Sequence, residues 1–141
     1  MSVKQISVFL ENKPGTLKKM TAVLAENKIN IRALSLADTK DFGIVRMLVD
    51  DVFEATNVLN EAHFITNLTP VLVFAISDET GGLDRLLEKF DASKINIEYM
   101  YAFAGKTSAY MIFRVNDTKA AEAALNAKGI KSLSSDEMSG V

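Results

Sequence analysis

The chain of 141 residues repeats itself. From Val71 onward it aligns with its own beginning at a constant shift of 66 positions and without a gap. Gly15 matches Gly81, Leu17 matches Leu83, and Lys28-Ile29-Asn30-Ile31 matches Lys94-Ile95-Asn96-Ile97. Val49-Asp50-Asp51 matches Val115-Asn116-Asp117, and Ala55, Leu59 and Asn60 match Ala121, Leu125 and Asn126. Two copies of one supersecondary unit are therefore expected, with domains at residues 1–69 and 70–141. A unit of this size buries only about 60% of its unfolded surface, so each alone would be marginal and the copies are expected to share an interface. A hydrophobic share of 48% allows a proper core.

Within the first copy, Val3 to Leu10 alternates with Ile6, Val8 and Leu10 on one face, which predicts a strand covered on that side. Thr16 to Asn27 places Leu17, Met20, Val23 and Leu24 at helical spacing, with Lys18, Lys19 and Glu26 outward. Ile29 to Ala37 and Phe42 to Val49 read as two strands of a hairpin around the polar turn Asp38 to Asp41. Asp50 and Asp51 stand where a helix cap is expected, and Ala55, Val58, Leu59 and Ala62 follow at helical spacing. Phe64 to Leu68 then predicts a short last strand ending before Pro70. The order is strand, helix, strand, strand, helix, strand, and the second copy repeats it. The polar tail from Ser134 to Val141 is expected to fray.

Composition narrows the chemistry. Sixteen basic and eighteen acidic residues leave a net charge of −2, and no basic block is long enough to track a phosphate backbone, so nucleic acid is not an expected partner. There is no cysteine and one histidine, His63, which removes thiol chemistry and leaves no metal-ligand spacing. His63, whose counterpart is Gly129, reads as a helix-end or surface residue. No stretch approaches the roughly 18 apolar residues of a membrane span, nor does the N-terminus resemble a signal peptide, so a cytoplasmic protein without membrane association is expected. Asp41-Phe42-Gly43 matches a kinase metal-binding triplet, but nothing in so short a chain accompanies it, and it reads as a tight hairpin opening. Glu11, Asp38, Asp41, Asp50 and Asp51 fall at strand ends and caps, outside any acid–base constellation. Lys4, Lys18, Lys19 and Lys28 read as a solvated face.

Between the first strand and first helix lies Asn12-Lys13-Pro14-Gly15. Proline suits the first turn of a helix, glycine permits a tight turn or close approach to a ligand, and Asn12 is a candidate cap or ligand contact. The free N–H groups of a helix start, with the positive end of its dipole, suit a carboxylate or phosphate.

With this element order, the turn Asn12-Lys13-Pro14-Gly15-Thr16-Leu17 and the strand opening Lys28-Ile29-Asn30-Ile31, the chain resembles two tandem ACT domains over nearly its whole length. The Asp41-Phe42-Gly43-Ile44 strand and Val49-Asp50-Asp51 look like that family too. The resemblance implies an α+β fold of two ferredoxin-like βαββαβ repeats side by side, forming one continuous antiparallel sheet of eight strands with helices on one face. It also implies a stand-alone, non-enzymatic regulatory module that binds a small metabolite, most often an amino acid, at the joint between repeats.

Asn12, the loop to Gly15, and Asn30 match the family's usual ligand contacts. Asn12 and Asn30 are separated by a helix of about 12 residues, roughly 18 Å long, so one copy cannot easily grip one ligand with both. If a pseudo-two-fold axis relates the copies, Asn12 pairs with Asn96, and Asp78 with Asn30. The expected contacts are thus Asn12, Lys13, Pro14, Gly15, Thr16, Leu17, Asn30, Ile31, Asp78, Asn96, Ile97, Glu98 and Tyr99, with no cofactor and no metal. The site from Asn12 to Leu17 is favoured, because the second loop, Asp78-Glu79-Thr80-Gly81-Gly82, has lost its proline and gained two carboxylates that would repel another. Tyr99 and Tyr101 are expected on one face, where they would enclose a ligand side chain or fill an interface. A homodimer is expected, with a metabolic enzyme or transporter as a possible partner. The competing reading is a non-catalytic interaction module with a vestigial pocket.

Overall fold

The computed structural model describes residues 2–38 and 41–139. In chain order it comprises β1 (Val3–Glu11), α1 (Thr16–Glu26), β2 (Ile31–Asp38), β3 (Phe42–Val49), α2 (Val52–Glu61), β4 (Ile65–Ile76), α3 (Gly82–Ala92), β5 (Ile97–Ala104), β6 (Ala109–Val115), α4 (Thr118–Asn126) and the short α5 (Ser135–Ser139). Two compact units result, one of Lys4–Thr69, the other of the chain from Pro70 with the residues before Lys4.

In the first unit the alternation of β1 turns Ile6, Val8 and Leu10 toward α1 and α2, where they meet Met20, Leu24, Val45, Met47, Ala55, Val58 and Leu59. Register places Ile6 opposite Met47 and Val8 opposite Val45, so one face of the sheet becomes a continuous apolar floor. On the other face Gln5 and Ser7 are buried as well, joined by a 3.3 Å hydrogen bond from Gln5 Nε2 to Ser7 Oγ. Strands β2 and β3 form the expected antiparallel hairpin. Of its turn, Thr39 and Lys40 lie outside the described residues.

The second core repeats the first at the sequence shift of 66. Leu72, Phe74, Leu86, Phe90, Phe113, Ala121 and Leu125 occupy the positions of Ile6, Val8, Met20, Leu24, Met47, Ala55 and Leu59. Phenylalanine replaces smaller side chains at three of these. The three rings fit by meeting at an angle, with centroids 4.6 Å apart for Phe90–Phe113 and 5.8 Å for Phe74–Phe90.

Helix ends repeat as well. Lys28 and Lys94 take positive φ, 57° and 55°, as do His63 and Gly129, at 70° and 80°. Each is the left-handed residue of a Schellman turn: Ile29 N–H reaches Leu24 O, Phe64 N–H reaches Leu59 O, Ile95 N–H reaches Phe90 O and Ile130 N–H reaches Leu125 O. These turns explain why β2 begins at Ile31 rather than at Ile29, and they place His63 at a helix end. The four lysines of the expected solvated face, Lys4, Lys18, Lys19 and Lys28, are all exposed.

Among the described residues the sheet has six strands, in the order β2-β3-β1-β4-β6-β5, not the expected eight. One strand is lost by fusion. Pro70 does not end the strand before it, because its fixed φ fits an extended chain, and β4 runs unbroken from Ile65 to Ile76. The other never forms. In place of a last strand at residues 130–134, Leu133 N–H makes one bond to Val73 O at 2.8 Å, while the serines turn to local partners. Ser132 Oγ donates to Glu122 Oε2 at 2.6 Å, and Ser134 and Glu137 form a reciprocal cap. That cap starts α5, which buries Met138, so the tail does not fray as far as Ser139. Gly140 and Val141 lie outside the described residues.

Candidate functional site

Where β1 ends, Lys13 N–H turns back to Glu11 O at 2.9 Å, and Asn12 N–H bonds Asp41 O at 3.2 Å, tying the loop to the opening of β3. Thr16 then locks the turn, its hydroxyl lying 2.8 Å from Glu11 O and 3.1 Å from Lys13 O. Asn12 is therefore not the cap of α1. That position belongs to Gly15 at φ 92°, which only glycine holds without strain, and Pro14 stands before the helix rather than in its first turn. No side chain caps α1, and its first turn carries no acidic residue.

The loop overhangs a concavity of about 310 Å³ walled by Leu10, Glu11, Asn12, Lys13, Thr16, Leu17, Leu36 and Gly43. Lys13 Nζ lies 3.0 Å from Glu11 Oε2, an exposed pair.

The second loop traces the same path. Glu79 N–H bonds Ser77 O at 2.9 Å, Gly82 N–H bonds Glu79 O at 3.1 Å, and Gly81 takes φ 85°. Its concavity, about 420 Å³, is walled in part by Ile76, Ser77, Asp78, Glu79, Leu83 and Ala109, which stand 66 positions after Leu10, Glu11, Asn12, Lys13, Leu17 and Gly43. Same place, different chemistry. Glu79 pairs with Arg85, and Asp84 in the first turn of α3 already answers the positive end of that helix. The α1 start has no such internal anion. The second loop is also tighter, since a Cβ on Gly82 would stand 2.8 Å from Ser77 O, whereas its counterpart Thr16 has room for a full side chain.

Of the expected contacts, Asn12, Lys13, Thr16 and Leu17 come together at the first concavity, while Pro14 and Gly15 form the turn itself. Asp78 belongs to the second. Asn30 lies elsewhere: its backbone N–H donates to Asp50 Oδ1 at 3.1 Å and its backbone carbonyl accepts from Asp50 N–H at 3.2 Å. It thus clamps the far end of β2, about 20 Å from Leu36 at 3.3 Å per residue, and Ile31 beside it packs on the core. Asn96 is exposed just before β5, Ile97 packs on the second core, and Glu98 pairs with Arg114 Nε at 3.2 Å. Tyr99 and Tyr101 do share a face, but it is the one opposite α3 and α4, because they pair with Arg114 and Ile112 while the core residues Phe113 and Val115 point the other way. Neither ring lines the second concavity, which opens at Ala109 and Met111.

Leu10, Glu11, Leu36 and Gly43 were not expected at the site. Their signal was the cross-strand register, which sets Leu10 opposite Gly43 and leaves Leu36 two residues along its strand from Asp38. Among the described residues no group of carboxylates and histidine could hold a metal ion, and no helix is long and apolar enough to cross a membrane.

A βαββαβ unit with an uncapped helix start beside a concavity, and a second copy following it, make this a tandem of ferredoxin-like units. The chain belongs to the ACT family: the model described as an ACT domain pair matches residues 1–140. The crystal structure of protein BT0572 from Bacteroides thetaiotaomicron is 35% identical, covers 100% of this chain and 98% of its own, and superposes with a TM-score of 0.93. The regulatory subunit of aspartate kinase from Thermus thermophilus shares the fold, with 19% identity, 88% of each chain covered and a TM-score of 0.64. The acetolactate synthase small subunit of Haemophilus influenzae is 22% identical over 111 residues, 65% of this chain and 68% of its own.

Proposed function

We propose that this chain is a non-catalytic regulatory protein that binds a free amino acid at the Asn12 loop. The observation carrying this reading is the uncapped start of α1, free of acidic residues and set beside a concavity with Lys13 on its wall. Backbone N–H groups and the helix dipole there suit a carboxylate, and the concavity is large enough for a small metabolite. The names of the relatives support the regulatory half, since one is the regulatory subunit of an enzyme acting on an amino acid. The chain has no cysteine, and its one histidine, His63, sits at a helix end away from the Asn12 loop's concavity, so neither supplies a nucleophile or proton shuttle there.

Regulation requires that the amino acid favour one state of the protein over another, because equal affinity for both shifts nothing. A metabolic enzyme that reads this state is part of the proposal, as is a homodimer. Leu34, 41% exposed on β2 at one end of the strand order, supports the latter.

The test is a thermal-shift scan against the twenty amino acids. A ligand at one hundred times its dissociation constant stabilises the fold by about 2.7 kcal/mol, several degrees in a protein of this size. One or a few amino acids should raise the midpoint, and Asn12→Ala should abolish the rise. Asn96→Ala, the change in the other repeat, separates a ligand held by one repeat from one that needs both. No response at millimolar concentration would return the chain to the interaction-module reading.

A further inference from the structure

Resting on that amino-acid reading, we propose that the first concavity selects a ligand with an uncharged aliphatic side chain, and that Leu36, seated over Gly43, is the selecting residue. The charged groups of the wall are already paired with each other, and its hydroxyl is engaged with the backbone. Lys13 Nζ meets Glu11 at 3.0 Å, and the Thr16 hydroxyl is shared between two backbone carbonyls. Beyond the loop, the wall consists of Leu10, Leu17 and Leu36, with no aromatic ring among the lining residues.

A charged ligand side chain would lose its water against three leucines, where the wall's two charges, Lys13 and Glu11, are already paired with each other. An aromatic one would find no ring to stack on, since no aromatic residue lines the concavity and Tyr99 and Tyr101 lie in the other repeat, on the sheet face opposite its α3 and α4 core. An aliphatic chain removes apolar surface from water on both sides, and Leu36, 52% exposed, has the most to cover.

The backbone explains why Leu36 reaches this spot. An added Cβ on Gly43 would stand only 3.3 Å from Leu36 Cδ1, so the leucine branch occupies the space that any other residue at 43 would fill. The second repeat has alanine at both equivalent positions, Ala102 and Ala109, and so lacks this wall.

The test is calorimetric titration of the full chain with leucine, isoleucine, valine, phenylalanine, aspartate and lysine. Binding of at least one aliphatic amino acid, weakened about tenfold by Leu36→Ala, reduced by Gly43→Ala and retained by Leu36→Met, would establish the selector. Leu36 is half-exposed, so its truncation leaves the core intact, and a circular-dichroism melt checks this. Asn12-dependent binding of phenylalanine, aspartate or lysine in preference to the aliphatic three, indifferent to Leu36→Ala, overturns the selector and leaves the proposed function standing. Binding by none of the six, together with no response in the thermal-shift scan of all twenty, overturns both.

Discussion

Lys28, His63 and Lys94 hold a left-handed backbone that costs an ordinary residue about 1 to 2 kcal/mol, while Gly129, the repeat counterpart of His63, holds it freely. Their helix ends fold this way because the Schellman bonds and the apolar residue that follows, Ile29, Phe64 or Ile95, outweigh the strain. Lys28→Gly and His63→Gly should therefore each stabilise the protein by about 1 kcal/mol, read as a higher urea midpoint at unchanged slope. Gly129→Ala, with nothing within 4 Å of the added methyl, should cost a similar amount through the backbone alone, and a lower midpoint with unchanged ligand binding would confirm it. At Gly82 the outcome is of another kind. Alanine there presses on the Ser77 carbonyl and should open the second loop, with loss of stability larger than at Gly129.

Elements show how far the sequence reaches. The repeat shift alone places the cores and the caps: Asp51 accepts from Glu54 N–H and Asp117 from Ala120 N–H, each at 3.1 Å. Asp51→Ala and Asp117→Ala should each cost about 1 kcal/mol in denaturant unfolding, the ordinary worth of a cap. The sequence misleads where one residue type has two uses. Pro70 reads as a stop, yet its φ suits a strand, and β4 passes through it. Residues 130–134 inherit a strand position from the repeat, but Ser132 and Ser134 offer their neighbours local hydrogen bonds that a ladder does not. Asn12 reads as a cap because asparagine usually is one, but Thr16 fixes the turn first. Half of the candidate site was legible for the same reason. Asn12, Lys13, Thr16 and Leu17 are close in sequence, whereas Leu36 and Gly43 arrive only through register.

Over the whole molecule, one architecture is used twice with unequal ends. Both loops close alike around Gly15 and Gly81 and each carries an ion pair, Glu11–Lys13 or Glu79–Arg85, yet α1 starts without an acidic residue whereas α3 has Asp84 in its first turn. The proposed function rests on that difference: under it the first loop would take the ligand's carboxylate and the second would not. Lys13→Glu, which gives the first loop the charge of the second, should weaken amino-acid binding several-fold and more so at low salt. The most direct measurement is the amide spectrum of the labelled protein, titrated with whichever amino acid raises its melting point. The account predicts that the amides of Lys13, Thr16, Leu17 and Lys18 move in step with ligand while those of Glu79, Leu83 and Asp84 stay in place. Shifts centred on the second loop, or on the Tyr99 and Tyr101 face, would contradict it.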